Sequence, residues 1–265
     1  MKKILVSAVA AIGFSSAAQA LVITDNFNAT SLANAIAGAG VTVSNASLVY
    51  NTAKPSATFS GGSSSVGFDS GIVLTTGTTD CVAGPNNQGG CGGGGQSTRL
   101  KFDFTSATGK VFFNYVFGSE EYTQYAPSEF NDSFKLLLNG VNIALLPGGA
   151  GLVEINNVNC LTNSAYYRNN VDGESNQPAS CVNQHLDVQY DGLTTVLTAS
   201  ADVLAGVNTF EFLITDVGDS SLDSGVFIKA GSFAGTDTSN NVPVPATLAL
   251  LGLGLGGLAA TRRKA

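Results

Sequence analysis

Seven of the 19 acidic residues fall in two short stretches, and these are where the chain has the means for chemistry. Glu120, Glu121, Glu129 and Asp132 follow the apolar run VFFNYVF at 111–117, and Asp216, Asp219 and Asp223 follow TFEFLIT at 209–215. Each stretch starts where an apolar strand ends, so each is expected to be a loop at a sheet end. If the two ends meet, that much negative charge needs a cation. Ca²⁺ suits the residue types, because it takes about 6–8 oxygen ligands at about 2.3–2.6 Å from carboxylates, amide oxygens, carbonyls and water. The expected ligands are Glu120, Asn131, Asp132, Asp216 and Asp219, with Glu121 and Asp223 beside them. Gly118 and Gly218 would let the backbone turn tightly there. The D-x-x-D-x-x-x-D spacing of 216–223 lacks the alternate-residue register of an EF-hand loop. A smaller acidic group, DGESN at 172–176, reads as a turn.

Other chemistries have weaker support. Paired carboxylates hydrolyse glycosides at separations of about 5–5.5 or about 6.5–9.5 Å. Glu120 with Glu129, or Glu121 with Asp219, are the pairs to weigh. Adjacent Glu120 and Glu121 on extended chain point to opposite faces, so they make a poor pair with each other. The single histidine, His185, falls on the polar side of an alternating run beside Asp187, with no G-x-S-x-G elbow anywhere in the chain. The stretch GCGGGGQS at 90–97 mimics a phosphate loop, but Gln96 stands where that loop needs lysine. Tyr122, Tyr125, Tyr166 and Tyr167 offer rings for calcium-assisted sugar binding, although a chain without tryptophan builds a poorer aromatic platform.

The elements that must hold these residues read as β. Phe134, Leu136 and Leu138, then Asn139-Gly140, then the apolar run 141–146 form a hairpin with a primed turn. Leu186, Val188 and Tyr190 alternate with polar neighbours, and Asp191-Gly192 before 193–199 repeats the pattern. The run 111–117 is apolar on both faces except for Asn114, which predicts a central strand covered on both sides. Strong runs at 209–215 and 225–233 complete the set. One short helix is expected over 30–37, with Thr30 as N-cap and Gly38 as its stop. About ten to twelve short strands with Gly/Asn turns predict an all-β fold, an antiparallel β-sandwich of jelly-roll type.

Composition sets the surroundings. Five of the 12 basic residues lie at the chain ends, so the body holds seven bases against 19 acids, a formal −12. Such a body repels phosphate backbones, which excludes nucleic acid as a partner. Residues 1–20 read as a secretory signal: Lys2 and Lys3, an apolar run, then Ala18-Gln19-Ala20 as the cleavage site. One domain spans 21–235, and the polar stretch 236–241 is a linker. The 15 apolar and small residues at 246–260 would make a C-terminal hydrophobic helix. At about 1.5 Å per residue it reaches about 22 Å, short for a hydrocarbon core of about 30 Å. The basic cluster at 262–264 would remain cytoplasmic, with the body facing out. All four cysteines, Cys81, Cys91, Cys160 and Cys181, lie in the exported body, where an even count implies disulfides. Three pairings are possible; closing the shortest loops favours Cys81–Cys91 and Cys160–Cys181.

Two resemblances emerge from these residues. Val242-Pro243-Val244-Pro245, the short apolar helix and the terminal Arg262-Arg263-Lys264 resemble the PEP-CTERM sorting signal of Gram-negative bacteria, with Val244 where that signal has glutamate. The resemblance implies recognition by an exosortase-type enzyme, a precursor held in the inner membrane by the helix, cleavage near the Pro motif, and delivery to the cell surface. DSGIVLTTG at 69–77, FGSEEY at 117–122, FNDSF at 130–134 and DVGDSSLDSGVF at 216–227 together resemble the choice-of-anchor L domain. That resemblance implies an exported, surface-displayed β-domain with no established activity. A non-catalytic protein of the exopolysaccharide matrix, stabilised by calcium, is the expectation; a calcium-dependent carbohydrate-binding module, or a glycoside hydrolase, is the alternative.

Overall fold

The computed structural model describes residues 20–238, apart from 90, 92–94 and 173–177. The expected signal segment with Ala18, the C-terminal hydrophobic helix, and the sorting residues Val242, Pro243, Val244, Pro245, Arg262 and Arg263 lie outside the described residues, whereas Ala20 is described and exposed. Among the described residues no helix is long and apolar enough to cross a membrane.

In chain order the strands are β1 (Val22–Asp25), β2 (Val41–Tyr50), β3 (Ser56–Ser60), β4 (Gly71–Thr75), β5 (Ser97–Ser106), β6 (Lys110–Ser119), β7 (Ser133–Leu138) and β8 (Val141–Asn142). Then come β9 (Val153–Glu154), β10 (Tyr167–Asn169), β11 (Gly192–Thr194), β12 (Leu197–Asp202), β13 (Asn208–Thr215) and β14 (Ser224–Lys229). They form two antiparallel sheets stacked as a sandwich. One has eight strands in the order β1-β3-β4-β14-β6-β11-β10, with β12 also on β6; the other has six in the order β2-β5-β13-β7-β8, with β9 also on β7.

Strict alternation builds the core. Leu100, Phe102 and Phe104 of β5, Phe210, Phe212 and Ile214 of β13, and Phe113, Tyr115 and Phe117 of β6 all face between the sheets and are buried. Their rings interlock edge-on, as Phe113 does with Phe210 at 5.7 Å and with Phe212 at 5.8 Å between centroids. Each fully buried side chain of this kind contributes about 1.5–3 kcal/mol. The other face of the eight-stranded sheet is not wet. Val73, Val116 and Phe227 pack there under Val66, Phe68, Leu186, Val188, Tyr190 and Leu193. This second apolar layer explains why β6 is apolar on both sides.

Several local expectations hold and two need correction. Asn139 (φ 48) and Gly140 (φ 85) both take the left-handed backbone that a primed two-residue hairpin turn requires. Disulfides join Cys81 to Cys91 and Cys160 to Cys181, with Cα atoms 5.6 and 5.8 Å apart. The helix is α1 (Ala29–Ile36), and its cap is Asn28, two residues before Thr30, its side-chain oxygen accepting from the Ser31 N–H at 2.9 Å. The hairpin expected across Asp191-Gly192 does not form. Leu186, Val188 and Tyr190 are buried because they roof the outer face of β6 as a loop, and both following strands, β11 and β12, pair with β6 instead.

Candidate metal centre

Both acidic stretches are crossovers between the two sheets at one end of the sandwich. β6 and β14 are neighbours with Ser119 opposite Ser224; β7 and β13 are neighbours with Ser133 opposite Thr215. The connections 120–132 and 216–223 therefore leave and return side by side. They touch. The Glu120 N–H donates to the Asp223 carbonyl at 3.1 Å. Asp132 ties the loops together: its Oδ1 accepts from the Val217 N–H at 2.8 Å and its Oδ2 from the Ser224 hydroxyl at 2.6 Å.

The acids are buried to an unusual degree. Glu120 is 3% exposed, Glu121 2%, Asp132 0%, Asp216 7% and Asp223 1%. Both carboxyl oxygens of Glu120, and Glu121 Oε2, Asp216 Oδ1 and Asp223 Oδ1, have no hydrogen-bond partner. A buried polar atom left this way costs about 1–3 kcal/mol. The carboxyls respond by holding their protons. Burial, reinforced by Asp223, Asp191 and Glu121, lifts Glu120 to a pKa of about 9. Burial and then Asp132, Asp219 and Asp216 lift Glu121 to about 8. Asp216 rises to about 8 through burial and then the charges of Asp132 and Asp219. Asp132 stops at about 6, because the Ser224 and Val217 donors favour its charged form against burial. Asp223 is pushed well up by burial, although the Thr75 hydroxyl donates to its Oδ2 at 2.7 Å.

Glu121 feels the charges of Asp132, Asp219 and Asp216, and Glu120 those of Asp223, Asp191 and Glu121, while Asp223 feels Asp132 and Asp216, so the acids form one coupled group. Asp219 is exposed, its Oδ1 accepting from the Ser221 N–H at 2.9 Å. The amide oxygen of Asn131 is engaged elsewhere, accepting from the Asn156 N–H at 2.9 Å. Among the described residues no three His, Cys, Asp or Glu side chains are already gathered into a set that could hold a metal ion. The arrangement is that of a proton-loaded acid cluster, which would have to close to take a cation.

The remaining candidates separate. Glu129 is exposed while Glu120 is buried, so this pair does not line one open cleft. The Asp219 charge raises Glu121, yet at 2% exposure Glu121 is out of a sugar chain's reach. His185 is exposed and sits in a loop rather than on a strand, and Asp187 is engaged by the Leu21 N–H at 2.9 Å. Tyr122 and Tyr167 are buried against each other with ring centroids 4.9 Å apart, so neither is a sugar platform. Tyr125 rests edge-on against Phe130 at 5.4 Å. A polar cleft of about 200 Å³ lies beside Cys160, Tyr167, Asn169 and Cys181, smaller than the roughly 300–1,000 Å³ of typical ligand sites. Reading the sequence missed Asp191, whose Asp-Gly pair looked like a hairpin tip.

A disulfide-stapled, acidic, two-layer antiparallel sandwich defines the class: a β-domain built for an oxidising compartment. The chain belongs to the Choice-of-anchor L domain family, matched over residues 21–234. Residues 241–264 match the PEP-CTERM protein-sorting motif, which marks an exported protein for exosortase recognition and sorting to the cell surface in Gram-negative bacteria. Both families are non-catalytic in kind. No curated protein and no solved structure matches the chain.

Proposed function

We propose that the protein is a calcium-stabilised structural component of the cell surface or its exopolysaccharide matrix, without catalytic activity. The observation that carries this reading is the set of buried carboxyl oxygens without donors on the two crossovers. Glu121, Asp132, Asp216 and Asp219 are the ligands of one Ca²⁺, the inner ion, completed by backbone carbonyls and water. The ion replaces protons, so its binding releases them. Its work is mechanical: it pins both crossovers, and with them both sheets, at one end of the sandwich. Extracellular calcium sites of this kind bind at about 10⁻⁴–10⁻³ M, matched to the free calcium outside a cell.

Thermal unfolding of the exported, disulfide-formed chain tests the reading. Millimolar Ca²⁺ is expected to raise the midpoint by several degrees over a chelator, as any ligand of the folded state does by mass action. Asp216→Asn is expected to remove most of that rise. An unchanged midpoint would falsify the inner ion.

The hydrophobic run of the sorting segment holds the precursor in the inner membrane until an exosortase-type enzyme cuts near Pro245. Intact mass of the surface-recovered protein reads this directly. A mass ending near the Pro motif is expected; a chain still carrying residues 246–265 refutes the cleavage.

A further inference from the structure

The register of β6 carries one step further. Its pairing with β14 sets Gly118 opposite Gly225 and Ser119 opposite Ser224, and its pairing with β11 sets Gly118 opposite Leu193 and Ser119 opposite Gly192. One residue on, both registers bring acids into a single row: Asp191, Glu120 and Asp223 side by side across three adjacent chains. Residues directly opposite in an antiparallel pair have Cα atoms about 4.5–5.5 Å apart and point to the same face. The Glu120 N–H to Asp223 carbonyl bond at 3.1 Å shows that the β6–β14 pairing does continue this far.

The face is fixed by the glycines. A Cβ on Gly118 would meet the Tyr190 ring at 3.0 Å, and Gly225 is likewise closed by the Tyr190 hydroxyl end. Glu120 and Asp223, two residues from these glycines, share that outer face, away from the sandwich core. Tyr190 roofs the row and is fully buried, and both oxygens of Glu120 and Oδ1 of Asp223 are buried there without a hydrogen-bond partner. Asp191 is held in place from outside the row by the Asn86 side-chain amide, which donates to its Oδ1 at 2.7 Å. Asn86 belongs to the loop closed by Cys81–Cys91, and that loop also holds the roof, the Gln189 N–H donating to the Val82 carbonyl at 3.1 Å.

We propose that Asp191, Glu120 and Asp223 form a second divalent-cation site, on the outer face of the eight-stranded sheet and beneath Tyr190, distinct from the inner site. The ligand class is a hard, oxygen-seeking cation such as Ca²⁺. Glu120 supplies both oxygens, and Asp223 and Asp191 supply one from each side. The ion fastens the loop 186–191, and through Asn86 the disulfide loop, to the sheet. This site shares no ligand with the inner one, although Asp223 feels the charges of Asp132 and Asp216.

Calorimetric titration and native mass spectrometry of the full exported chain, with Ca²⁺ as the probe, decide the matter. Two ions per chain are expected. Asp191→Asn and Glu120→Gln should each weaken one of them at least tenfold and leave the other; Asp216→Asn should do the converse. Circular dichroism checks folding, and half-buried Asp191 supplies the gentler variant if Glu120→Gln does not fold. One ion, lost with Asp191→Asn and kept with Asp216→Asn, upholds the outer site and removes the inner one. One ion lost only with Asp216→Asn, binding unaffected by Asp191→Asn, or no bound ion at all, overturns the proposal.

Discussion

Asp132 is the residue on which the acidic end depends mechanically. It sits on the first crossover, yet both its hydrogen-bond donors belong to the second crossover or the strand it feeds. Asparagine in its place keeps the shape but offers one acceptor where two donors point. One of the Val217 N–H and Ser224 hydroxyl donors would then lose its acceptor or face an NH₂ group. A buried donor left unsatisfied costs about 1–3 kcal/mol. Asp132→Asn is therefore expected to lower unfolding stability by about that much, measured by urea unfolding in chelator so that ion loss does not contribute. A change within error would show that the crossovers are held by other contacts. At this scale part was legible beforehand: two acidic stretches, each directly after an apolar strand. Asp191 was not legible, because its neighbours across the sheet are 71 and 32 positions away in sequence and appear only once the register of β6 is known.

Strand β6 is the element that organises the molecule. Its inward residues Phe113, Tyr115 and Phe117 belong to the core between the sheets, and its outward residue Val116 belongs to the second apolar layer. A run apolar on both faces was readable as a central strand, and so it is. The misreading at 186–199 has the same origin. Leu186, Val188 and Tyr190 turn their apolar side chains onto the sheet from a loop, and Gln189 between them is buried as well. Periodicity reports burial, not pairing. The Asp191-Gly192 pair then completed a hairpin pattern that the sheet does not use, since the edge of β6 was available to both β11 and β12. At 139–140 the hairpin does form, Asn139 and Gly140 turning β7 back onto β8 at Leu137 and Leu138, while β9 takes Ser133 and Phe134 of β7. Helix α1 shows a smaller error of the same sort: Asn28 and Thr30 are both good caps, and the sequence does not say which wins until Leu32, Ala33 and Ile36 are seen to face the core.

At the scale of the whole molecule, the acid cluster makes stability depend on pH in an unusual direction. In the folded chain Glu120, Glu121 and Asp216 hold protons up to pKa values of about 9, 8 and 8. In the unfolded chain the same groups release them at about 4. Between those limits the folded state binds more protons than the unfolded one, and stability falls as pH rises. Most acidic groups in proteins act the other way, as Asp103 does here, its pKa lowered by bonds from Asn45 and Thr209. The ion-free protein is therefore expected to be most stable near about pH 5 and to lose stability steadily towards about pH 9. Bound calcium reverses the logic, because the ligands must be deprotonated to hold it. With Ca²⁺ in excess the decline should flatten or turn into a rise above neutral pH. Thermal midpoints at about pH 5, 7 and 9, with chelator and with millimolar Ca²⁺, compare the two curves. Curves that run parallel would mean that the acids exchange protons without ever exchanging them for a cation. An ion-free curve that climbs with pH would mean that the buried carboxyls are already charged and balanced by something other than calcium.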